Sequence, residues 1–190
     1  EASAGNEGDE ETFNTEFGGQ PAQSPRVLEG LMKMADLYEA SRDTRNADKL
    51  YKQVIAEFDS RGLQPGSPAA YYAAKSKFML VERDFITWRA IKIKGSLNNQ
   101  KKVLPEKIAG QKKLTTEYES IWGYKNLEWT MASSFRIGSL FQQFAASLYE
   151  VPIPFKEDSE SYEVYRTQLE DIAIPLEDEA IRRYEATIAK

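Results

Sequence analysis

The chain contains neither cysteine nor histidine. The first absence removes disulfides, thiolate nucleophiles and thiolate metal sites. It fits an oxidising compartment, where a stray thiol is a liability, although many cytosolic domains lack cysteine too. The second absence removes the commonest metal ligand and the commonest general base. Ser-His-Asp, Cys-His and histidine–zinc arrangements are thereby excluded, and an enzyme would have to work with carboxylates, lysine or tyrosine. No apolar run approaches the roughly 20 residues that span a bilayer. The longest candidate, Phe135 to Val151, is interrupted by Arg136, Gln142, Gln143 and Glu150. Sustained period-two alternation is missing, as are Asn-Gly and Asp-Gly turns between β-branched runs, which argues against strands.

What is present points to an all-α chain. Apolar residues make up 41% and charged residues 29% of its 190 positions, enough for one domain or one elongated array with a continuous core. Residues Glu1 to Ser24 stand apart. They hold Glu1, Glu7, Asp9, Glu10, Glu11 and Glu16, several glycines and no Lys or Arg, a composition that buries too little surface to fold alone. We expect residues 1–24 to be an acidic linker or tail, with Phe13 and Phe17 as candidate docking residues. A start at Glu1 rather than Met is expected of a processed product or an excised fragment. The helical pattern still running at Lys190 is expected of a piece of something longer.

From Pro25 onward the apolar residues follow the helical period. A first helix, Pro25 to Ala40, turns Leu28, Leu31, Met34, Ala35 and Tyr38 to one side. Asp43 or Thr44 caps a second, which carries Ala47, Tyr51, Val54, Ile55 and Phe58 and ends near Gly62. Gly66-Ser67-Pro68 opens a third, with proline at the first helical position. Its stripe of Tyr71, Ala74, Phe78, Val81, Phe85 and Trp88 predicts a helix to about Ile93, with Gly95 as the stop. A fourth is expected over Asn99 to Lys125, with Pro105 in its first turns or kinking it, and a fifth over Leu127 to Glu150, with Trp129, Ala132, Phe135, Ile137, Phe141, Phe144 and Leu148 on its apolar stripe. Val151-Pro152-Ile153-Pro154-Phe155 breaks the pattern. The last helix starts near Ser159 or Ser161 and contains Pro175, where a kink rather than a stop is expected.

A small residue followed one turn later by an aromatic recurs in this pattern. Met34-Ala35-Asp36-Leu37-Tyr38 and Ala47-Asp48-Lys49-Leu50-Tyr51 form one pair; Ile137-Gly138-Ser139-Leu140-Phe141 and Ala180-Ile181-Arg182-Arg183-Tyr184 form another. The small residue permits close backbone approach and the aromatic fills the remaining space. Each pair runs in the order of the two helices of a tetratricopeptide repeat (TPR), a helical hairpin of about 34 residues. Asp59 stands where proline usually closes such a unit, and only residues 28–61 read as a regular repeat. Residues 66–190 read as extended hairpins. The expected domain is therefore 25–190, an array of antiparallel helical hairpins in a TPR-like right-handed superhelix with unusually long helices.

Further motifs carry a closer resemblance. Glu128-Trp129-Thr130-Met131-Ala132, Phe135-Arg136-Ile137-Gly138, Phe144-Ala145, Pro152-Ile153-Pro154 and Pro175-Leu176-Glu177-Asp178-Glu179-Ala180 resemble the carboxy-terminal part of TPR proteins from deltaproteobacterial cell envelopes. Those include periplasmic and outer-membrane-associated proteins linked to gliding motility in myxobacteria. The resemblance is best over residues 118–190. It implies a non-catalytic scaffold in a periplasmic or outer-membrane-associated assembly, bound to a protein partner or to neighbouring subunits.

Charge adds detail. Arg89, Lys92, Lys94, Lys101, Lys102, Lys107, Lys112 and Lys113 face one acid, Glu106, within residues 89–113. The net charge of −5 and the absence of interleaved aromatics argue against nucleic acid. A solvated helix face is the expected role, or contact with an acidic partner, this chain's own acidic tail included. Lys92, Lys94, Lys101, Lys102, Tyr72 and Trp88 are the candidate partner-binding residues. Most aromatics are expected in the core, with some of Tyr71, Tyr72, Trp88, Trp122 and Trp129 lining a concave face. Glu157-Asp158-Ser159-Glu160 lacks the glycine bend and the spaced acid of a calcium loop and reads as a helix start. No metal or cofactor is expected. A polysaccharide-binding module and a lytic enzyme using Glu117, Glu119 or Glu128 are the competing readings.

Overall fold

The computed structural model describes residues 24–188. Among them are six α-helices, one short 3-10 helix and no strand: α1 Arg26–Ala40, α2 Thr44–Ser60, α3 Pro68–Ala90, α4 Leu97–Glu119, the 3-10 helix Ser120–Tyr124, α5 Leu127–Tyr149 and α6 Glu160–Ile188. The all-helical expectation is met. The proposed tail with Phe13 and Phe17 lies outside the described residues.

Local chemistry sets the boundaries. The Asp43 side chain accepts from the Asn46 N–H at 3.1 Å and caps α2, and Pro68 opens α3. The third helix stops at Ala90 rather than near Ile93. Ile93 leaves the helix to enter the core, where it is 5% exposed, and the left-handed turn at Gly95 falls in the connection beyond. The fourth helix ends at Glu119 and tightens into the 3-10 helix, which Lys125 closes in a left-handed conformation. Pro105 and Pro175 both lie inside helices. Each sits on an exposed face, so the carbonyl one turn earlier that loses its N–H donor can be hydrated instead.

Cross-helix pairs give the topology. Leu28, Val54 and Phe58 share one cluster, and Met32, Ala35, Ala47 and Tyr51 share another, so α1 and α2 run antiparallel. Lys113–Asp84 and Lys77–Glu117 show the same for α3 and α4. In the last hairpin, Tyr149–Glu177 and Gln142–Tyr184 do so for α5 and α6. In contrast, Asp36–Lys75 and Glu39–Arg83 tie α1 to α3 in parallel. Tyr71–Trp129, Glu82–Arg136 and Trp88–Phe144 tie α3 to α5 in the same sense. Helices α1, α3 and α5 therefore lie side by side in one layer. Helices α2, α4 and α6 pack mainly against their sequence neighbours, with α4 and α6 bridged at the side chains by Gln100–Tyr165 and Glu119–Arg183. The result is a two-layer stack of hairpins, whose helices lengthen from 15 residues in α1 to 29 in α6.

The small-residue positions pack as their chemistry requires. Ala35, Ala47 and Tyr51 are fully buried. A Cβ placed on Gly138 would come within 2.8 Å of the Tyr184 ring, so the two recurring pentads of the last hairpin meet each other directly. Two positions assigned inward by periodicity face out: Met34 is 49% and Phe135 53% exposed. Met32 takes the inward place in α1 at 3% exposure.

Candidate interaction surface

The cationic segment is split by the fold. Lys94, Lys101, Lys102 and Lys112 are exposed. Lys92 pairs with Glu150 at 3.6 Å and Lys113 with Asp84 at 3.4 Å, both across exposed surface where such pairs contribute little. Lys107 does not belong to the solvated stripe at all, being 2% exposed. Its Nζ donates to the Ile91 carbonyl at 2.7 Å and lies 4.9 Å from the centre of the Trp88 ring. The Trp88 indole N–H in turn donates to the Lys107 carbonyl at 2.9 Å. Ile91 caps the C-terminal end of α3, where a cation complements the helix dipole. Lysine and tryptophan are thus locked together beneath the α3–α4 connection.

Trp88, a candidate binding aromatic by sequence, is 4% exposed. Its ring packs between Phe85 and Phe144, so it works from the core rather than presenting a surface. Tyr72 is half-buried and packs against both N-terminal clusters. Of the remaining candidate lysines, Lys92 and Lys101 line separate clefts, while Lys94 and Lys102 stay on the open surface. The structure therefore does not gather the candidate residues into one site.

The larger of those two clefts, about 420 Å³, lies where α3 and α5 end. Arg89, Lys92, Lys107, Gln143, Ser147 and Glu150 supply its polar lining and Ile86, Ala90 and Ala146 its apolar walls. Three cations face one carboxylate there. Two helix C-termini converge on the cleft, so part of that positive charge offsets the helix dipoles. The second cleft, about 330 Å³, is lined by Leu97, Lys101, Phe155, Glu160, Val164 and Tyr165 among others. Its Tyr165 donates to the side-chain oxygen of Gln100, whose amide N–H groups in turn donate to the Gly95 and Pro152 carbonyls. Gln100 is 1% exposed and fully satisfied, the condition under which a buried amide fixes one arrangement.

Sequence reading also missed the polar node at the centre of the stack. Glu82 accepts both Arg136 guanidinium bonds, at 2.7 and 2.8 Å, and the Tyr118 hydroxyl at 2.5 Å. This links α3, α5 and α4. Burial and the neighbouring Glu82 carboxylate raise the Tyr118 pKa above its ordinary value. No single-sequence signal joins Glu82 to Arg136 across 54 positions; the one clue is a charge beside an apolar stripe.

Catalytic arrangements are not evident among these groups. Glu117 is ion-paired with Lys77 and Glu119 with Arg183, and Glu128 is exposed. The Ser147 hydroxyl donates to the Phe144 carbonyl. Among the described residues no cluster of acidic side chains is arranged to hold a metal ion, and no helix is long and apolar enough to cross a membrane. No protein-family model matches this chain, and searches of curated proteins and solved structures found no match. The functional reading rests on the geometry and on the sequence motifs.

Lys107 makes one pH prediction. Burial pushes its pKa below the ordinary lysine value of 10.5, Lys92 adds to this and Glu150 opposes it. Between the lowered folded value and the unfolded one, the unfolded chain binds more protons, so this group's contribution to stability rises with pH. Against a Lys107→Met variant, the wild type should gain stability as pH rises toward the ordinary lysine value of 10.5. Thermal melts of both proteins across that window check this. The comparison cancels the buried tyrosines, which both proteins share.

Proposed function

We propose that this chain is a non-catalytic helical-repeat scaffold that holds a protein partner in a bacterial cell-envelope assembly. A TPR-like relationship and a place in a gliding-motility apparatus are the finer form of the same reading, taken from the sequence motifs. The observation that carries the proposal is the side-by-side layer of α1, α3 and α5 backed by α2, α4 and α6. Stacked hairpins of this kind expose long continuous surfaces suited to binding extended segments. The cation-lined cleft and the exposed Lys94, Lys101 and Lys102 favour a partner with acidic residues, since rim charges govern selectivity and association rate.

Two further observations favour a protein partner over the competing readings. A polysaccharide platform needs exposed Trp or Tyr on the floor of a polar cleft. Here Trp88 is buried, and Trp122 and Trp129 pack against the core. A lytic enzyme needs a buried, raised-pKa acid at the base of an open cleft, whereas Glu117 and Glu119 are held in ion pairs.

Crosslinking mass spectrometry of the full-length protein in its native host tests the reading. Crosslinks from the α3–α4 and α4 lysines to an acidic protein segment are expected. A Lys94→Glu/Lys101→Glu/Lys102→Glu variant should keep its helical circular dichroism but lose roughly tenfold or more in affinity, about 1.4 kcal/mol. Retention on purified cell-wall sacculi with no protein partner would instead establish the polysaccharide reading.

A further inference from the structure

Exposed large apolar side chains are unevenly placed along the stack. Among the described residues, α2 and α4 present none and α3 presents only Ile86; all the others lie on α1 or on the α5–α6 hairpin. Interior helices are covered by layers on both sides. Among the described residues, no layer precedes the first helix and none follows the last hairpin.

The two ends carry complementary patterns. On α6, Ile174, Ile181 and Ile188 recur every seven residues and are 52%, 56% and 86% exposed. Seven residues are close to two helical turns, so the three form one stripe. Beside it run Asp171, Asp178 and Glu185, which have no cation partner within ion-pair distance among the described residues. On α1, Val27 and Met34 are spaced by the same seven residues, and with Leu37 they are 43%, 49% and 71% exposed. Arg26 and Lys33 edge that stripe. Among the described residues, Arg26 has no acidic partner within ion-pair distance, and Lys33 pairs with Glu29 of its own helix.

The stacking rule inside the molecule supplies the geometry. Helix α3 lies parallel to α1 and antiparallel to α2, and α5 repeats this on α3 and α4. Applying the same step once more lays an α1 helix parallel to α5 and antiparallel to α6. Aligned so that the two seven-residue stripes meet, Val27 lies by Ile188 and Met34 by Ile181, which brings Arg26 toward Glu185 and Lys33 toward Asp178. Pairing α6 with another α6 would bring two acidic rows together, which opposes a two-fold dimer through this face.

We infer that the α5–α6 end of one molecule docks on the α1 end of a second copy, giving head-to-tail association of the chain. Such a contact is heterologous and does not close on itself, so it propagates into a filament. It uses only the two ends of the stack and stands independently of any partner bound near α3 and α4.

Sedimentation velocity and light scattering on the full chain test this up to about 1 mM. The average mass should rise continuously with concentration, without a plateau at the dimer. Met34→Asp and Ile181→Asp each bury a charge in one half of the contact, and aspartate is too short to reach the flanking charged rows. Both positions are exposed, so circular dichroism should be unchanged. Each variant alone should associate more than about 100-fold more weakly than the wild type. Mixed in equal amounts, they should form a dimer and stop, because one supplies an intact α1 face and the other an intact α6 face. A wild type that stays monomeric overturns the inference. So does self-association that survives in either variant, or a mixture that fails to pair.

Discussion

Replacing Glu82 with alanine should remove about 3 kcal/mol of folding stability, near the low end for breaking a buried ion pair. The carboxylate is only 15% exposed at its side chain and receives Arg136 and Tyr118 at once. Its loss leaves a guanidinium inside the stack, 28% exposed and lying 4.9 Å from the Phe85 ring, together with a phenol that has lost its acceptor. Chemical denaturation measures the loss. A Glu82→Gln/Arg136→Met cycle separates the pair from its surroundings. If Glu82→Gln and Arg136→Met turn out additive, the two side chains act independently and the expected coupling is absent.

The second large effect comes from a single methyl group. Gly110→Ala ordinarily stabilises a helix by about 1 kcal/mol. Here the new Cβ would lie 2.6 Å from Trp88 Cδ1. The ring has no simple retreat, because it is buried, bonded to the Lys107 carbonyl and covered by the Lys107 ammonium. Overpacking of this kind costs about 1 to 3 kcal/mol beyond the helix gain, so we expect a net loss. Gly30→Ala is the matched control. Gly30 lies mid-helix in α1 with nothing within 4 Å of the added Cβ, and its substitution should raise the melting temperature. Combining Gly110→Ala with Trp88→Phe should recover part of the loss. Equal behaviour of the two glycine variants would show that Trp88 yields.

Much of this fold is legible in the sequence, for reasons that can be located. The seven-residue recurrences in α3 and α6, proline after Ser67 and the Asp43 cap are local signals, and local signals mark helices. The errors also share a cause. Met34 and Phe135 lie on apolar stripes, and periodicity alone does not tell a face covered by a neighbouring layer from one left bare at an end of the stack. Lys107 reads like the surface lysines around it, because nothing in a single sequence shows that the α3–α4 connection folds over it. Trp88 was weighed as a binding aromatic, yet its surroundings come from α4 and α5, 19 and 56 positions away at Lys107 and Phe144. Function was less legible than fold because no motif marks a partner surface. Such a surface is an arrangement of ordinary side chains rather than a signature.

The divided core has a consequence for how the molecule comes apart. One set of buried residues runs from Ala74 through α4 and α5 to Ala173 on α6, while α1 and α2 are joined to α3, as far along it as Leu80, by two smaller clusters. Among the described residues, α3 is the only helix with buried residues in both parts. Loss of the α1–α2 hairpin would uncover Ala69, Ala70 and Ala73 but leave the larger core intact. The N-terminal hairpin is therefore expected to open at lower free energy than the rest, which hydrogen exchange would show as weaker amide protection in α1 and α2. Unfolding of the chain need not be a single step, and a melting temperature would describe whichever unit the probe observes.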